Sequence, residues 1–164
     1  VHNIKSNLKL GSGIMPLNRM LGSGIEIALG TDGAASNNEL DVWSEMKTAA
    51  LVHKGVLKDP TAVTARQVIL MGTLMGAKAL GFENTGLIRE GWKADLVLID
   101  LDKPHYVGVT AENLACFLVY SGSSADVQST VINGRLVFNG GDFLTSDKEE
   151  ILSNARSSRS ELIS

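Results

Sequence analysis

The sequence predicts a chain of the α/β class, with an α/β part up to about residue 85 and a β-rich part after it. Two observations carry this prediction. A short β-prone run at residues 25–30 ends abruptly in a polar loop, and two amphipathic helical segments follow it. From Gly86 onward the pattern changes to short β runs separated by turn residues.

The first part begins with two interrupted segments. Residues 1–13 are predicted to form a strand end and an irregular loop, because polar residues and glycines interrupt them too often for a periodic element. Pro16 favours the first turn of a short helix that stops near Gly22. The run at residues 25–30 is predicted to be a strand that delivers Asp32 at its carboxyl end, where α/β folds keep their chemistry.

Two helices are predicted next. Asn38 is expected to cap a helix over residues 39–54. Thr64 and Gln67 have the spacing of a capping box, which predicts the start of a second helix. Apolar residues at helical spacing predict that this helix extends to Gly81. Each helix has an apolar stripe, as expected of a helix that packs against a core.

The β-rich part is predicted to contain short strands and two peripheral helices. Asn133 and Gly134 form the residue pair best suited to a two-residue hairpin, because both turn positions need positive φ. A capping box beginning at Ser146 predicts a polar helix near the end of the chain. The strands are residues 96–99, 127–132 and 136–138, and the other helix is residues 111–120.

Composition excludes several functional classes. The sequence contains 15 Lys and Arg residues and 18 Asp and Glu residues, which give a net charge of −3, and it has no run of basic residues. Neither a nucleic-acid surface nor a membrane anchor is therefore expected. The apolar runs are far shorter than the roughly 18 residues of a membrane span. Cys116 is the only cysteine, which excludes a disulfide framework and favours the cytoplasm. Its apolar neighbours predict a core residue.

Asp32 is the sharpest candidate for chemistry. It follows the predicted strand between Thr31 and Gly33, where a carboxylate can bind a metal or accept a proton. The alternative is an Asx turn or a cap for the downstream helix. The flanking glycines do not make a phosphate loop, because the spacing and the lysine of a Walker sequence are both missing.

The three histidines give weaker signals. His2 lies at a second strand terminus and can meet Asp32 on the same face of a parallel sheet, although a terminal histidine is more often exposed and inert. His53 lies near a predicted helix end. Capping of the helix or an interaction with its dipole is therefore a better interpretation of this histidine than a catalytic role. His105 is expected to be a surface loop residue. Their spacing contains no local zinc motif.

Three segments, in this order, resemble the amidohydrolase superfamily. They are SNLKLGSG at residues 6–13, LGTDGAASNN at residues 29–38 and GWKADLV at residues 91–97. The nearest branch is that of the S-adenosylhomocysteine/5′-methylthioadenosine deaminases and the related chlorohydrolases. The resemblance covers nearly the whole chain.

The resemblance implies the carboxyl-terminal part of a metal-dependent (β/α)8 TIM barrel plus part of an appended β-sandwich. Residues 1–85 are expected to supply the last two barrel strands and their helices. Residues 86–164 are expected to contribute to the sandwich. Active sites of such barrels lie at the carboxyl ends of the strands, where Asp32 falls.

The resemblance also implies an activity. One divalent metal, zinc or alternatively iron, is expected to activate a water that attacks the ring carbon bearing the amino group of an adenosine-like nucleoside. Asp32 matches the strand-eight aspartate that binds the metal and takes the proton from that water. His2, Asn7 and Ser36 are expected to serve the substrate pocket. Asn3 and Ile4 replace the Cys and Pro that follow the family's histidine, so the pocket wall is expected to differ.

Several expectations depend on what the chain omits. The family's His-x-His pair, its strand-five histidine, and the acid/base glutamate and histidine have no counterpart here, so the chain is expected to be an inactive fragment when alone. A chlorotriazine or guanine aminohydrolase and a noncatalytic scaffold are the alternatives. An independent binding module is a third, which is expected to self-associate because its strands lack neighbours. The whole protein is expected to be a homo-oligomer.

Overall fold

The computed structural model describes residues 1–163 and divides them into two compact units. The helical unit comprises Val1–Trp92 and Leu101–Asp126, and the sheet unit comprises Lys93–Asp100 and the residues from Val127 onward. This mixture of helices and strands confirms the predicted α/β class. The division differs from a single boundary near residue 85, because Leu101–Asp126 belongs with the helical unit.

The helical unit is built around an apolar core that its helices share. Its α-helices are α1 (Ile4–Leu10), α2 (Leu17–Gly22), α3 (Ala34–Asn37), α4 (Val42–Leu57), α5 (Ala65–Gly72), α6 (Leu74–Ala79) and α7 (Leu114–Cys116). A π-helix, Phe117–Ser121, continues α7, and 3-10 turns occupy Pro104–Tyr106 and Ser124–Asp126. The core consists of Ile4, Leu17, Ile27, Leu29, Ala49, Ala50, Val63, Ala65, Val68, Met71 and Val119.

The predicted strand at residues 25–30 is reduced to one parallel bridge, between His2 and Leu29. The His2 N–H donates to the Ala28 carbonyl at 2.8 Å, and the Gly30 N–H donates to the His2 carbonyl at 3.1 Å. The parallel pairing does not extend further, because the segment that contains His2 becomes helix α1 at Ile4. The bridge nevertheless places two chain segments side by side in the parallel sense.

The segment after Asn3 is a helix, so the expected irregular loop at residues 4–10 is wrong. One N-terminal N–H of α1, that of Lys5, donates to the Glu45 carboxylate of α4 at 3.2 Å. The helix ends at Gly11, whose left-handed backbone (φ 67°) suits glycine. A free N–H group in the first turn of α1 thus finds its acceptor on a residue distant in sequence, which the local sequence pattern does not reveal.

The helix predicted over residues 39–54 begins later than expected, and Asn38 is not its cap. Asp41 caps α4, and its Oδ1 accepts from the N–H groups of Trp43 at 2.8 Å and Ser44 at 3.1 Å. Asn38 instead ends α3 with a left-handed backbone (φ 72°). Asparagine tolerates that conformation better than most residues, which explains why it stands there.

The predicted helix from Thr64 is confirmed at its start and interrupted in the middle. The Gln67 N–H donates to Thr64 Oγ1 at 3.2 Å, and the Thr64 N–H donates to Gln67 Oε1 at 2.8 Å, which completes the capping box. Thr73 (φ −122°, ψ −93°) separates α5 from α6. A Cβ atom on Gly86 would lie 2.7 Å from the Leu74 Cα. The segment around Gly86 therefore packs tightly against the start of α6, just after the interruption at Thr73.

The segment predicted as one helix over residues 111–120 contains α7 and the π-helix that follows it. The expectation that Cys116 is a core residue is wrong, because its thiol is exposed. Val119 is the fully buried residue of this segment. The change from α to π geometry after Cys116 alters the number of residues per turn, so helical spacing misassigns the buried face.

The sheet unit is an antiparallel sheet whose strands, in spatial order, are β1 (Leu96–Ile99), β2 (Val127–Ile132), β3 (Arg135–Asn139) and β4 (Asp142–Phe143). The turn between β2 and β3 has positive φ at Asn133 (49°) and Gly134 (79°), as predicted for this pair. The Asn133 N–H also donates to the Asp95 carboxylate at 2.6 Å, which ties the turn to the start of β1.

The predicted polar helix is α8 (Lys148–Ile163), and every residue in it is exposed. Its cap is Asp147 rather than Ser146, because Asp147 Oδ1 accepts from the Glu150 N–H at 3.0 Å. Within residues 1–163, no helix combines the length and the apolar character needed to cross a bilayer.

We expect Gly122→Ala to destabilise the helical unit by about 1–3 kcal/mol, the usual effect of overpacking. A Cβ at this position would lie 2.4 Å from Tyr106 Oη and 2.8 Å from the Leu118 carbonyl. Urea denaturation measures the change, and Gly55→Ala is the control, because a Cβ there meets nothing within 4 Å. Equal stability of the two variants would contradict this description of the packing.

Candidate active site

Asp32 lies just after the His2–Leu29 bridge and has a left-handed backbone (φ 62°). Its Oδ1 accepts from the Gly33 N–H at 2.8 Å, and its Oδ2 accepts from the Ser6 hydroxyl of α1 at 2.7 Å. Positive φ is uncommon outside glycine and marks a residue that its surroundings hold in place. The side chain remains exposed, so the carboxylate is oriented by two donors and still open to a ligand.

The electrostatics of this loop keep Asp32 ionised. The hydrogen bond from the Ser6 hydroxyl, followed by that from the Gly33 N–H, lowers the pKa of Asp32 below its ordinary value. The ionised carboxylate is the form that binds a cation. The Gly33 contact belongs to the local turn, whereas the Ser6 contact comes from another element and holds the second oxygen.

The sequence assigns Asn7 and Ser36 to a substrate pocket, and the structure places them on α1 and α3. The hydrogen bonds that they make are local and involve backbone groups. Ser36 Oγ donates to the Gly33 carbonyl at 3.0 Å. Asn7 is half-buried on α1, and its carbonyl accepts from the Ser12 N–H at 2.9 Å. A role for either side chain in substrate binding stays a prediction.

His2 and His53 form a buried pair that their spacing did not predict. Their Nε2 atoms lie 3.0 Å apart, and their exposed fractions are 1% and 2%. The expectation that His53 complements a helix end is wrong, because α4 continues to Leu57 and the imidazole is enclosed in the interior. The Nδ1 atom of His2 is buried without a hydrogen-bond partner among residues 1–163.

The buried pair should make stability fall in mild acid. Burial, reinforced by the adjacent His53 ring, lowers the pKa of His2 to about 4, and burial also lowers the pKa of His53. In the unfolded chain both imidazoles protonate near pH 6.5. Because the unfolded state binds more protons below that pH, the contribution of the pair is present above about pH 6.5 and is lost as the pH falls towards about 4.

Urea denaturation between about pH 7 and pH 4 measures this loss. We expect His53→Gln to reduce the slope of stability against pH in this window. Val56→Gln is the control, because Val56 is an exposed residue of the same helix and carries no titratable group. An unchanged slope in the His53 variant would contradict the assignment of the slope to the buried pair.

Asp32 can supply one ligand to a metal ion. Among residues 1–163, no group of three or more His, Cys, Asp or Glu side chains is arranged to hold a metal. A competent zinc site takes about three protein ligands and a water. The exposed, ionised carboxylate therefore fits one position of such a site, and the described residues do not supply the remaining positions.

Comparison with models of protein families matches residues 1–137 to the amidohydrolase family. The chain belongs to the amidohydrolase family. The matched range includes the His2–Leu29 bridge, the Asp32 loop and the strands β1 and β2. The family predicted from the three sequence segments is thereby confirmed.

Curated amidohydrolase relatives resemble nearly the whole chain. The 5-methylthioadenosine/S-adenosylhomocysteine deaminase of Dictyoglomus thermophilum is 48% identical over 162 residues, which are 99% of this chain and 38% of that protein. The 5′-deoxyadenosine deaminase of Methanosarcina barkeri is 46% identical over 162 residues, 99% of this chain and 37% of that protein. The chain thus spans well under half the length of these relatives.

Solved structures show the same likeness. An adenosine deaminase from Xanthomonas campestris with bound zinc matches 98% of this chain and 36% of its own, with a TM-score of 0.92 and 36% identity. The zinc complex of the atrazine chlorohydrolase from Arthrobacter aurescens matches 95% of this chain and 34% of its own, with a TM-score of 0.87 and 30% identity.

Proposed function

We propose that this chain is the carboxyl-terminal part of a metal-dependent deaminase that acts on an adenosine-like nucleoside, namely S-adenosylhomocysteine, 5′-methylthioadenosine or adenosine. The observation that carries the proposal is the exposed, ionised carboxylate of Asp32, which Ser6 and Gly33 orient just after the parallel bridge. The names of the relatives that are 48% and 46% identical support this substrate class.

The proposed architecture is a piece of two domains. Residues 1–85 correspond to the last two strands and helices of a (β/α)8 barrel, and residues 86–164 to part of a β-sandwich with peripheral helices. Within the second range, Leu101–Asp126 groups with the helical unit. The parallel pairing of His2 with Leu29 supports neighbouring barrel strands, and the antiparallel sheet supports the sandwich. On this reading Asp32 occupies the end of the barrel where such enzymes keep their catalytic groups.

The proposed chemistry assigns Asp32 two tasks. A divalent metal, zinc or alternatively iron, supplies a water of lowered pKa when it is bound. The Asp32 carboxylate would be one ligand of this metal and would accept the proton of the attacking water. The net reaction replaces the ring amino group by oxygen and releases ammonia. Zinc is favoured because it is present in both related structures.

His2, Asn7 and Ser36 complete the proposed site on the substrate side. All three lie in the two segments that flank the Asp32 carboxylate, near the parallel bridge. The buried Nδ1 atom of His2 lacks a partner among residues 1–163, which supports a polar ligand for it. The ligands that complete the metal site would come from outside these residues.

Assembly and location follow from composition and surface. We place the protein in the cytoplasm, because a lone exposed thiol suits a reducing compartment. A homo-oligomer would cover apolar side chains that this chain leaves exposed, such as Leu51 and Val56 on α4.

A chlorotriazine hydrolase is the second candidate, because the structure resembles an atrazine chlorohydrolase with a TM-score of 0.87. Guanine deamination and a noncatalytic scaffold are further alternatives within the same fold. Assays of the full-length, zinc-loaded protein with S-adenosylhomocysteine, adenosine, guanine and atrazine separate them. Ammonia released fastest from the adenosine-like substrates supports the proposal, whereas chloride from atrazine or no product from any of the four contradicts it.

A further inference from the structure

Glu45 is a completely buried carboxyl group in the first turn of α4, with an exposed fraction of 0%. Its Oε2 accepts from the Lys5 N–H at 3.2 Å, and its Oε1 accepts from the Asn37 amide at 2.7 Å. Both donors belong to other segments, one in α1 and one in α3. Glu45 therefore joins the two segments that flank the Asp32 loop.

The first arm of this connection reaches Asp32 through α1. The Lys5 N–H is held by Glu45, and the next residue, Ser6, donates its hydroxyl to Asp32 Oδ2 at 2.7 Å. Ser6 is only 2% exposed, so its hydroxyl is placed by the helix that carries it. Displacing the first turn of α1 would move the donor that orients the carboxylate.

The second arm reaches Asp32 through its own loop. The Asn37 amide that contacts Glu45 also donates to the Thr31 carbonyl at 2.6 Å, and Thr31 directly precedes Asp32. Asn37 is buried, with an exposed fraction of 7%. The two arms thus start at one carboxyl group and converge on Asp32, one at its carboxylate and the other at the residue before it.

We infer that Glu45 is a positioning residue for Asp32, an inference that rests on the proposed role of Asp32 as a metal ligand. A carboxylate presents acceptors at both oxygens, whereas an amide presents one acceptor and one donor. Because both partners of Glu45 are donors, a glutamine of the same size would leave one of them unpaired. The side chain acts on the site through hydrogen bonds and does not touch the reacting atoms.

Glu45→Gln in the full-length protein tests this inference. We expect the zinc dissociation constant, measured by competition with a chelator, to rise by about 10–100-fold, the usual effect of losing a group that supports a metal ligand. Amide exchange at the Gly33 N–H, which donates to Asp32 Oδ1, should also become faster. If this variant does not fold, Asn37→Ala cuts one arm alone and is tested in the same way.

Asp41→Ala is the matched control, because it removes the side-chain cap of the same helix, and the partners of that side chain, Trp43, Ser44 and Ser124, belong to neither arm. We expect it to lower the melting temperature without changing zinc affinity by more than about twofold, since only a supporting partner of the ligand shifts affinity strongly. The effect of Ser6→Ala on zinc affinity should be non-additive with that of Glu45→Gln, because Ser6 lies on the first arm. It should be additive with the effect of Asp41→Ala.

The outcomes separate this inference from the proposed function. Unchanged zinc affinity in folded Glu45→Gln, or equal losses in Glu45→Gln and Asp41→Ala, would overturn the positioning role. If the unmodified protein binds no zinc, the proposed function fails and exchange at the Gly33 N–H decides the inference. Faster exchange in Glu45→Gln alone supports it, and unchanged exchange overturns it.

Discussion

Asp32→Asn is expected to lower kcat/KM of the full-length protein for adenosine-like substrates by about 10²–10⁴-fold or more, the range for loss of a general base. Asparagine keeps the size of the side chain and an oxygen that can accept from Ser6 or the Gly33 N–H. It removes the negative charge that binds the metal and the site that takes the proton. Zinc content should fall in parallel, as measured by elemental analysis.

Asp59→Asn is the control for this prediction. Asp59 is also an exposed aspartate in a turn, and hydrogen bonds from Thr61 lower its pKa. It therefore shares the local environment of Asp32 without the proposed role, and its replacement should leave activity and zinc content unchanged. Full activity in the Asp32 variant would remove the residue from the mechanism.

Asp126→Ala is expected to lower the free energy of unfolding by about 2–4 kcal/mol, because it removes a buried acceptor that several donors share. Asp126 is 4% exposed and accepts hydrogen bonds from four groups. They are Lys103 Nζ at 2.8 Å, the Ser123 N–H at 2.9 Å, His105 Nε2 at 3.1 Å and Tyr106 Oη at 3.1 Å. Truncation leaves the Tyr106 hydroxyl, in a residue 2% exposed, without this acceptor.

The effect of Asp126 should depend on pH in a defined direction. Burial opposes ionisation of Asp126, but the hydrogen bonds from Lys103, the Ser123 N–H, His105 and Tyr106 outweigh it and hold its pKa well below the ordinary range. The contribution is therefore complete above the unfolded pKa of about 4 and is lost as the pH falls below it.

Urea denaturation at neutral and acidic pH tests the role of Asp126. We expect the difference between the unmodified protein and Asp126→Ala to shrink below about pH 4. Glu83→Ala, at an exposed position, should change stability by less than about 0.5 kcal/mol. A loss in Asp126→Ala no larger than in Glu83→Ala would show that the cluster adds nothing to stability.

The sequence predicted those features whose determinants are local. The Asn133-Gly134 turn needs only two residues with positive φ, and the Thr64 capping box joins residues three apart. Asp32 could be singled out for a related reason, because a β-prone run ending in a polar loop is visible in a short stretch of sequence. The amidohydrolase family followed from three such stretches.

The contacts that organise the site could not be predicted in this way, because they join distant residues. The His2–His53 pair spans 51 positions and the Lys5–Glu45 bond spans 40. Neither spacing corresponds to a helical or a strand period, so no local pattern signals them. A histidine and a glutamate inside an otherwise helical segment look like solvated positions until the fold buries them.

The most direct measurement is ammonia release from S-adenosylhomocysteine by the full-length protein before and after removal of metal with a chelator. We expect release to stop on chelation and to return on addition of zinc, with Asp32→Asn slower by at least about 100-fold. Release that persists without metal, or that survives the loss of the Asp32 carboxylate, would contradict a metal-dependent deaminase built on Asp32.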